Sequence, residues 1–373
     1  MFREGAGARL GSRERPRPLA LRTSAGMVQP AARILLRGTA LVLAATFAAT
    51  GCGGSGQGAP VGKGPRLGMV TDVGGLGDKS FNDSAYAGLK RAKAELGAQI
   101  EVLQSKSAAD YQPNLSALAD EHYGEIFAIG FLMNKDLSQV ATTFPKQDFA
   151  IVDAIVDMPN VTSLTFREQD ASFLAGALAA RFSKTKTIGY LGGLEIPLLV
   201  KFESGFRAGA RQADPNVKVL VKYVGSFEDV ASGKELAEVL YNQGADVVYV
   251  AAGKSGLGAM DEIRARPNAY AIGVDSDQDG LAPGKVLTSV LKRVDVAVFT
   301  VAKDIAAKKL RHGHIEFGLK ENGVGLTDFR YTKQLIGPQT IAELGKLRQA
   351  IIAGKIVPPQ TRDELAHFKP VKL

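Results

Sequence analysis

Short apolar runs alternate with amphipathic segments from Pro65 onward. The apolar runs are near-continuous stretches of Val, Ile, Leu and Ala, a pattern typical of parallel strands that are buried on both faces. They predict ten strands, at residues 66–72, 100–105, 125–131, 148–153, 161–166, 187–192, 217–224, 246–252, 269–275 and 286–292. The segments between them predict helices, among them residues 85–96, 173–182, 202–212 and 233–243. Asp83 and Ser84 form an N-cap signal for the first of these helices, and Gly97 is a C-terminal stop.

Strands that alternate with helices predict an α/β fold with parallel sheets and right-handed crossovers. Ten such strands fit either one barrel or two smaller doubly wound sheets. Polar residues cluster directly after strand ends in both halves of the chain, and ligands of open α/β sheets bind at those ends. This favours two doubly wound lobes over the barrel. A length of 373 residues, at roughly 150 residues per domain, agrees with two domains.

The segment 72–82 is the first candidate ligand loop, because it joins the first predicted strand to the first helix. Its Gly75-Leu76-Gly77 begins like a dinucleotide-binding fingerprint, but Ser80 stands where the third glycine belongs, so the spacing fails. The glycines would still let a ligand approach the backbone, with Asp72 and Asn82 as hydrogen-bond partners and Phe81 as a stacking face. The alternative is a glycine-rich turn in which Ser80 or Asn82 only caps the helix.

Two further loops end strands of the second half. The run 251–256 imitates the end of a P-loop, but Val248 occupies the first glycine position, which excludes nucleotide hydrolysis and leaves Gly253 at a candidate ligand edge. Asp275 directly continues a strand, and one carboxylate can accept two hydrogen bonds from a vicinal diol. Asp277 and Asp279 are interpreted as solvated turn residues. Lys292 and Arg293 lie at a strand-to-helix junction, where a surface charge or a cap partner is the alternative to a binding role.

The remaining chemistry is sparse. None of the four histidines, His122, His312, His314 and His367, has a partner at metal-binding helical spacing, and no Gly-x-Ser-x-Gly elbow occurs. A single cysteine excludes a disulfide framework and a cysteine-based zinc site. We therefore expect a binding protein without a cofactor or metal rather than an enzyme.

The net charge of +8 is concentrated at the start of the chain. Residues 1–51 contain eight arginines and two acids, which leaves 38 basic and 36 acidic residues in 52–373, so no nucleic-acid partner is expected. From Met27, Arg33 and Arg37 precede an apolar stretch at 39–50 that is too short to span a bilayer, which needs about 20 residues. Small residues then lead directly to Cys52. This resembles a bacterial lipobox with Ala49 in place of the usual leucine, and an ordinary secreted protein is the alternative.

Several motifs, in the same order along the chain, resemble those of one family, the PnrA-like basic membrane protein lipoproteins, which bind purine nucleosides for ABC importers. The motifs are Asp72-Val-Gly-Gly with Asp78-Lys-Ser-Phe-Asn82, Phe166-Arg-Glu168 with Ser172-Phe-Leu-Ala-Gly176, Gly189-Tyr-Leu-Gly-Gly193, Lys201-Phe-Glu-Ser-Gly-Phe206, Ile272-Gly-Val-Asp-Ser-Asp-Gln278 and Thr288-Ser-Val-Leu-Lys292. The resemblance implies a type I periplasmic-binding fold, in which three crossover segments join two lobes around a ligand cleft.

The resemblance also implies roles for individual residues. Family members stack the purine between two phenylalanines, here Phe81 and Phe202, and hold the ribose hydroxyls with Asp275 and Lys292. Positions matching Asp72, Asn82 and Asp153 are expected to contact the nucleoside, as is the loop at Gly253. That loop usually reads Ala-Ala-Gly-Gly-Thr-Gly, whereas Lys254 and Ser255 stand here in place of Gly-Thr.

We therefore expect a monomeric, lipid-anchored bacterial protein on the extracytoplasmic face of the cell membrane, with an ABC permease and ATPase as partners. Its organisation is expected to be an extension at 1–26, a signal peptide at 27–51, a tether at 52–64 beginning with lipidated Cys52, a first lobe at 65–160 plus about 285–312, and a second lobe at 161–284 plus about 313–373. The alternatives are the same fold with riboflavin, a sugar or an autoinducer as ligand, a cell-surface enzyme acting on nucleosides, and a surface antigen or adhesin.

Overall fold

The computed structural model describes residues 64–372, so the predicted leader, Cys52 and nearly all of the tether lie outside it. The strands of this part of the chain are β1 Arg66–Thr71, β2 Gln99–Gln104, β3 Glu125–Ile129, β4 Phe149–Val152, β5 Val161–Phe166, β6 Thr187–Gly192, β7 Lys218–Tyr223, β8 Val247–Ala251, β9 Tyr270–Asp275, β10 Val286–Lys292, β11 Gly313–Phe317 and β12 Val324–Leu326. The helices are α1 Phe81–Leu96, α2 Tyr111–Asp120, α3 Asn134–Thr143, α4 Glu168–Phe182, α5 Pro197–Ala213, α6 Val230–Asn242, α7 Gly256–Ala265, α8 Val294–Ala306, α9 Lys333–Ile336, α10 Pro338–Ile352 and α11 Arg362–His367.

The strands form two six-stranded sheets, in the orders β11-β5-β4-β3-β1-β2 and β12-β10-β9-β8-β6-β7. All pairs in the first sheet are parallel, and in the second only the β10–β12 pair is antiparallel. Every residue of β3, β4 and β8 is buried, as expected for strands covered by helices on both faces. The prediction of two doubly wound lobes is thus confirmed, and the single barrel is excluded.

All ten predicted strands are present within two residues of their expected ends, whereas β11 and β12 were not predicted. The strand β11 is mostly exposed and reads Gly-His-Ile-Glu-Phe, and β12 has only three residues. Neither forms an apolar run, because each lies at the end of its sheet and has a neighbour on one side only.

Three crossovers join the lobes and lie side by side. The chain leaves the first sheet at Arg167, returns to it at Arg293, and leaves again through residues 318–323. The backbone N–H of Arg167 donates to the carbonyl of Phe317 at 3.0 Å, and that of Arg293 donates to the carbonyl of Gly323 at 2.8 Å. These bonds tie the three crossovers together, which confirms the predicted connection.

The sheet order corrects the predicted lobe boundaries. Strands β5 and β11 belong to the first sheet, although residues 161–166 and 313–317 were assigned to the second lobe, and β10 belongs to the second sheet although residues 286–292 were assigned to the first. The reason is that each crossover follows a strand: the chain completes β5, β10 or β11 in one lobe before it crosses to the other.

Close packing of α4 against α5 fixes the helix that carries Phe202. A Cβ atom added at Gly176 would lie 1.9 Å from the carbonyl oxygen of Phe206, and one at Gly209 would lie 1.8 Å from that of Phe173. The two helices can therefore approach this closely only because both positions are glycine. Leu199 and Phe202 of α5 are directed towards the space between the two sheets.

Candidate functional site

A cavity of about 600 Å³ lies between the carboxyl ends of the two sheets and is lined from both lobes. All eight residues predicted to bind ligand line it, namely Asp72, Phe81, Asn82, Asp153, Phe202, Gly253, Asp275 and Lys292. The structure thus brings the whole predicted set together, and the role of each residue stays a prediction.

The loop between β1 and α1 is held by hydrogen bonds to two carboxylates. Asn82 Nδ2 donates to Asp72 Oδ1 at 2.7 Å, and the backbone N–H of Gly74 donates to the same oxygen at 2.9 Å. Asp78 accepts from the backbone N–H groups of Ser80, Asn82 and Asp83 at the start of α1. Asp78 therefore satisfies the helix N-terminus, and α1 begins at Phe81, so the N-cap predicted at Asp83 and Ser84 is wrong. The stop at Gly97, which has a φ of 68°, is confirmed.

The second glycine-containing loop follows β8. Gly253 has a φ of 55°, where a side chain is strained, and a short 3₁₀ turn continues from Gly253 to Ser255 before α7 begins. Ser255 is buried, and its Oγ donates to the carbonyl of Ser226 at 3.0 Å. Gly253 and Lys254 of this turn line the cavity.

Asp153 and Asp275 occupy equivalent places at the ends of β4 and β9, the fourth strands from the β2 and β7 edges of their sheets. Both have left-handed backbone conformations, with φ of 70° and 61°, which cost about 1–3 kcal/mol each in a residue other than glycine. Their carboxylates flank one ammonium group: Lys292 Nζ lies 2.5 Å from Asp153 Oδ2 and 4.0 Å from Asp275 Oδ1. The Asp153–Lys292 contact joins the two lobes.

Burial governs the ionisation of these carboxyls. Burial raises the pKa of Asp72 to about 6, although Asn82 and Gly74 donate to it. Burial raises the pKa of Asp153 to about 6 despite the opposing charge of Lys292. Burial by itself would lower the pKa of Lys292, but Asp153 and Asp275 outweigh it and raise that pKa, so the ammonium stays charged.

Three aromatic rings lie close to Lys292, those of Phe81, Phe166 and Phe202, and the first and last of these line the cavity. Lys292 Nζ lies 4.5 Å from the ring centroid of Phe81 and 5.6 Å from that of Phe202. The two phenylalanines come from corresponding helices, α1 after β1 and α5 after β6, and are 8% and 3% exposed. A flat apolar group that enters the cavity therefore has an aromatic face available from each lobe.

Several residues of the site were not predicted. Ser80 Oγ donates to Asp275 Oδ2 across the lobes at 2.6 Å, and Asp78 and Phe227 line the cavity. Ser80 and Asp78 lie within the motif 78–82, and its polar composition was the available signal, whereas no pattern marks Phe227. Asp279 was interpreted as a solvated turn residue, which is wrong: it is 1% exposed, because the hydroxyls of Ser289 and Thr327 both donate to it.

Two α/β lobes that enclose a polar and aromatic cavity between the carboxyl ends of their sheets define a ligand-binding protein of the type I periplasmic class. The model of the family described as ABC transporter substrate-binding protein PnrA-like matches residues 66–362. The chain belongs to this family.

Relatives agree with this assignment. The chain is 36% identical over 350 residues to the ABC transporter nucleoside-binding protein BmpA of Lactococcus lactis subsp. cremoris, covering 86% of this chain and 97% of that one. It is 38% identical over 335 residues to an uncharacterized lipoprotein of Pyrococcus horikoshii, covering 85% and 82%. A crystal structure of an ABC transporter solute-binding protein from Aeropyrum pernix matches with a TM-score of 0.75 and 32% identity, over 81% of this chain and 96% of that one.

The family description, substrate-binding protein of an ABC transporter, implies a small solute as ligand and transporter subunits as partners. Relatives are named lipoproteins or basic membrane proteins, which is consistent with attachment to a membrane. Across residues 64–372 no helix is both long and apolar enough to cross a bilayer. The same residues contain no group of three or more His, Cys, Asp or Glu side chains placed to hold a metal ion.

Proposed function

We propose that this protein captures purine nucleosides in the cavity between its lobes and delivers them to an ABC importer, while a lipid on Cys52 anchors it to the extracytoplasmic face of the membrane. The observation that carries the proposal is the arrangement of Asp153 and Asp275 around Lys292, beside the rings of Phe81 and Phe202. It offers hydrogen-bond acceptors for a diol and stacking faces for a base within one cavity.

The carboxylates favour a ligand with hydroxyl donors. Asp153 Oδ1 is fully buried and has no hydrogen-bond partner within residues 64–372. A buried carboxylate oxygen without a donor is costly, by about 1–3 kcal/mol or more for a charged group. A ribose diol would supply two donors to the pair of carboxylates, and Lys292 would donate to a ribose oxygen while its charge offsets theirs.

The aromatic faces favour a flat base. Stacking on an aromatic side chain contributes about 1–3 kcal/mol per base. Asp72 Oδ1 already accepts two hydrogen bonds, so Oδ2 remains for an N–H group on the edge of a base. The name of the Lactococcus relative, a nucleoside-binding protein, supports the same class of ligand.

Calorimetric titration of the mature protein with inosine, guanosine and adenosine tests the proposal. Ribose and hypoxanthine, the separate sugar and base of inosine, are titrated for comparison. We expect the nucleosides to bind, and ribose and hypoxanthine each to bind at least about 100-fold more weakly, because each engages only one of the two sets of groups. Asp275→Asn should remove most of the binding. Asp277→Asn is the matched control, since Asp277 is half-exposed, lies two residues away and pairs with Arg330.

Absence of binding by every nucleoside would reject the ligand class. Titrations with riboflavin and with free sugars would then identify the alternative ligands on the same fold. Formation of hypoxanthine from inosine, detected by chromatography, would indicate an enzyme instead. For the anchor, mass spectrometry of the mature N-terminus should find a lipid-modified Cys52, and an unmodified N-terminus at another residue would contradict anchoring there.

A further inference from the structure

Lys254 is a charged residue in the cavity wall whose ammonium group has no direct ion-pair partner among residues 64–372. The other charged lining residues, Asp72, Asp78, Asp153, Asp275 and Lys292, all have partners. The ammonium group of Lys254 forms no ion pair or hydrogen bond with any residue in 64–372. It is half-buried beside the cavity, so a bound ligand can take the place of the missing partner.

The backbone that carries Lys254 is held firmly. The backbone N–H of Ser255 donates to the carbonyl of Phe227 at 3.0 Å, and Ser255 Oγ donates to the carbonyl of Ser226. On the outer side, a Cβ at Gly233 of α6 would lie 2.0 Å from the carbonyl oxygen of Ser255, so α6 packs directly on the turn. The position of Lys254 at the wall is therefore set by its neighbours, and only its flexible side chain remains to adapt to a ligand.

We propose that Lys254 makes the cavity selective for 6-oxopurine nucleosides over 6-aminopurine nucleosides by donating to the oxygen at C6 and the neighbouring N7. The inference rests on the proposed function. An ammonium group has donors and no acceptor. A 6-oxopurine presents two acceptors along that edge, O6 and N7, whereas adenine presents an amino donor beside N7. Lys254 therefore finds an acceptor in the first case and faces a second donor in the other.

The charges of the cavity argue against a phosphate as the partner of Lys254. Four carboxylates line the wall, against Lys254 and Lys292, and Lys292 is already engaged by Asp153. A dianionic phosphate would be repelled by the surrounding carboxylates in a partly desolvated site. A neutral carbonyl satisfies the ammonium without adding negative charge.

Titration of the mature protein and of Lys254→Met with inosine and adenosine tests the inference. A hydrogen bond to a charged donor contributes about 1.5–3 kcal/mol, so the protein should bind inosine about tenfold or more tightly than adenosine. Lys254→Met should weaken inosine binding about tenfold and change adenosine binding less than about twofold. Lys254→Gln, which keeps a neutral N–H donor, should retain part of the preference. Lys234→Met, at an exposed lysine on α6, is the control and should change neither affinity.

Equal affinity of the unmodified protein for inosine and adenosine would overturn the inference, as would an inosine-to-adenosine ratio that Lys254→Met leaves unchanged. Inosine 5′-monophosphate binding that is tighter than inosine binding and lost in Lys254→Met would assign Lys254 to a phosphate, and would also overturn it. If neither nucleoside binds, the proposed function fails and this inference fails with it. If both bind with equal affinity, only the inference fails.

Discussion

The two lobes present the same strand ends to the cavity but different chemistry. Strands β4 and β9 end in equivalent aspartates, Asp153 and Asp275, both with left-handed backbone. One strand further along, β5 ends at Phe166 whereas β10 ends at Lys292. After β3 the first lobe places Phe131 in the wall, and after β8 the second lobe places Lys254 there. Both lining lysines therefore come from the second lobe.

This difference indicates how the lobes attract one another. Three of the four lining carboxylates belong to the first lobe, and the cations belong to the second. The buried pair of Lys292 with Asp153 and the hydrogen bond from Ser80 to Asp275 both cross the cavity. The two lobes share the same backbone arrangement, and the different side chains at a few strand ends make their facing surfaces complementary in charge.

The largest effect is expected when the end of β10 is made apolar like the end of β5. Lys292→Met leaves Asp153 and Asp275 buried without their cation, and removal of one partner of a buried pair costs about 3–5 kcal/mol. Nucleoside binding should become undetectable by calorimetry, and the melting temperature should fall. The double variant with Asp153→Asn should be less destabilised than the sum of the two single variants. Strictly additive effects would show that the cross-lobe pair does not couple the lobes.

A smaller effect tests whether the two aromatic faces are equivalent. Phe81→Leu and Phe202→Leu should each weaken nucleoside binding about 10- to 100-fold, because each removes one stacking face of about 1–3 kcal/mol and keeps apolar volume. Phe182→Leu, at a partly buried phenylalanine of α4 that does not line the cavity, is the control and should leave the affinity unchanged. Titrations in which only one of the two replacements weakens binding would show that the base stacks on a single lobe.

The pH dependence of binding tests the buried carboxyls. The pKa values of Asp72 and Asp153 are about 6, above the usual value near 3.9, so in the free protein these groups take up protons as the pH falls from 7 to 5. Hydroxyl and N–H donors of a ligand require the ionised form, so affinity should fall about tenfold over that range for each carboxyl that must ionise.

The stability of the ligand-free protein should change in the opposite sense. A carboxyl whose pKa is raised on folding contributes stability at low pH and loses it as the pH rises through 6, so these two groups favour the folded state more at pH 5 than at pH 7. Asp72→Asn should reduce the pH dependence of both the nucleoside affinity and the free energy of unfolding. Affinity that is independent of pH between 5 and 7 would place these carboxyls outside the binding step.

The smallest effect is expected for the cross-lobe hydroxyl. Ser80→Ala removes one hydrogen bond to Asp275, worth about 1 kcal/mol, and should weaken nucleoside binding about fivefold. Ser84→Ala is the control, since the Ser84 hydroxyl accepts from the backbone of Asp295 and does not line the cavity. Equal losses from both variants would mean that Ser80 acts through general packing.

Much of the fold and of the site follows from local sequence. Ten strands were predicted because buried parallel strands form continuous apolar runs, and Asp72, Asp275 and Lys292 because they directly follow such runs. Phe202 and Asp153 were predicted only from the resemblance to the PnrA-like family.

The features that were not predicted depend on distant partners. Ser80 meets Asp275 at a separation of 195 residues, and Asp279 is buried by a bond from Thr327, 48 residues away. The lobe boundaries were misplaced because only the pairing of β5 with β4 and β11 shows where each crossover begins.

Mass spectrometry under native conditions tests the central claim most directly, with the mature protein purified without unfolding. We expect either a bound mass equal to that of a purine nucleoside, or an empty protein that gains one when inosine or guanosine is added, in a complex that Asp275→Asn does not form. A bound riboflavin or sugar, or a protein that stays empty with every purine nucleoside, would contradict the claim.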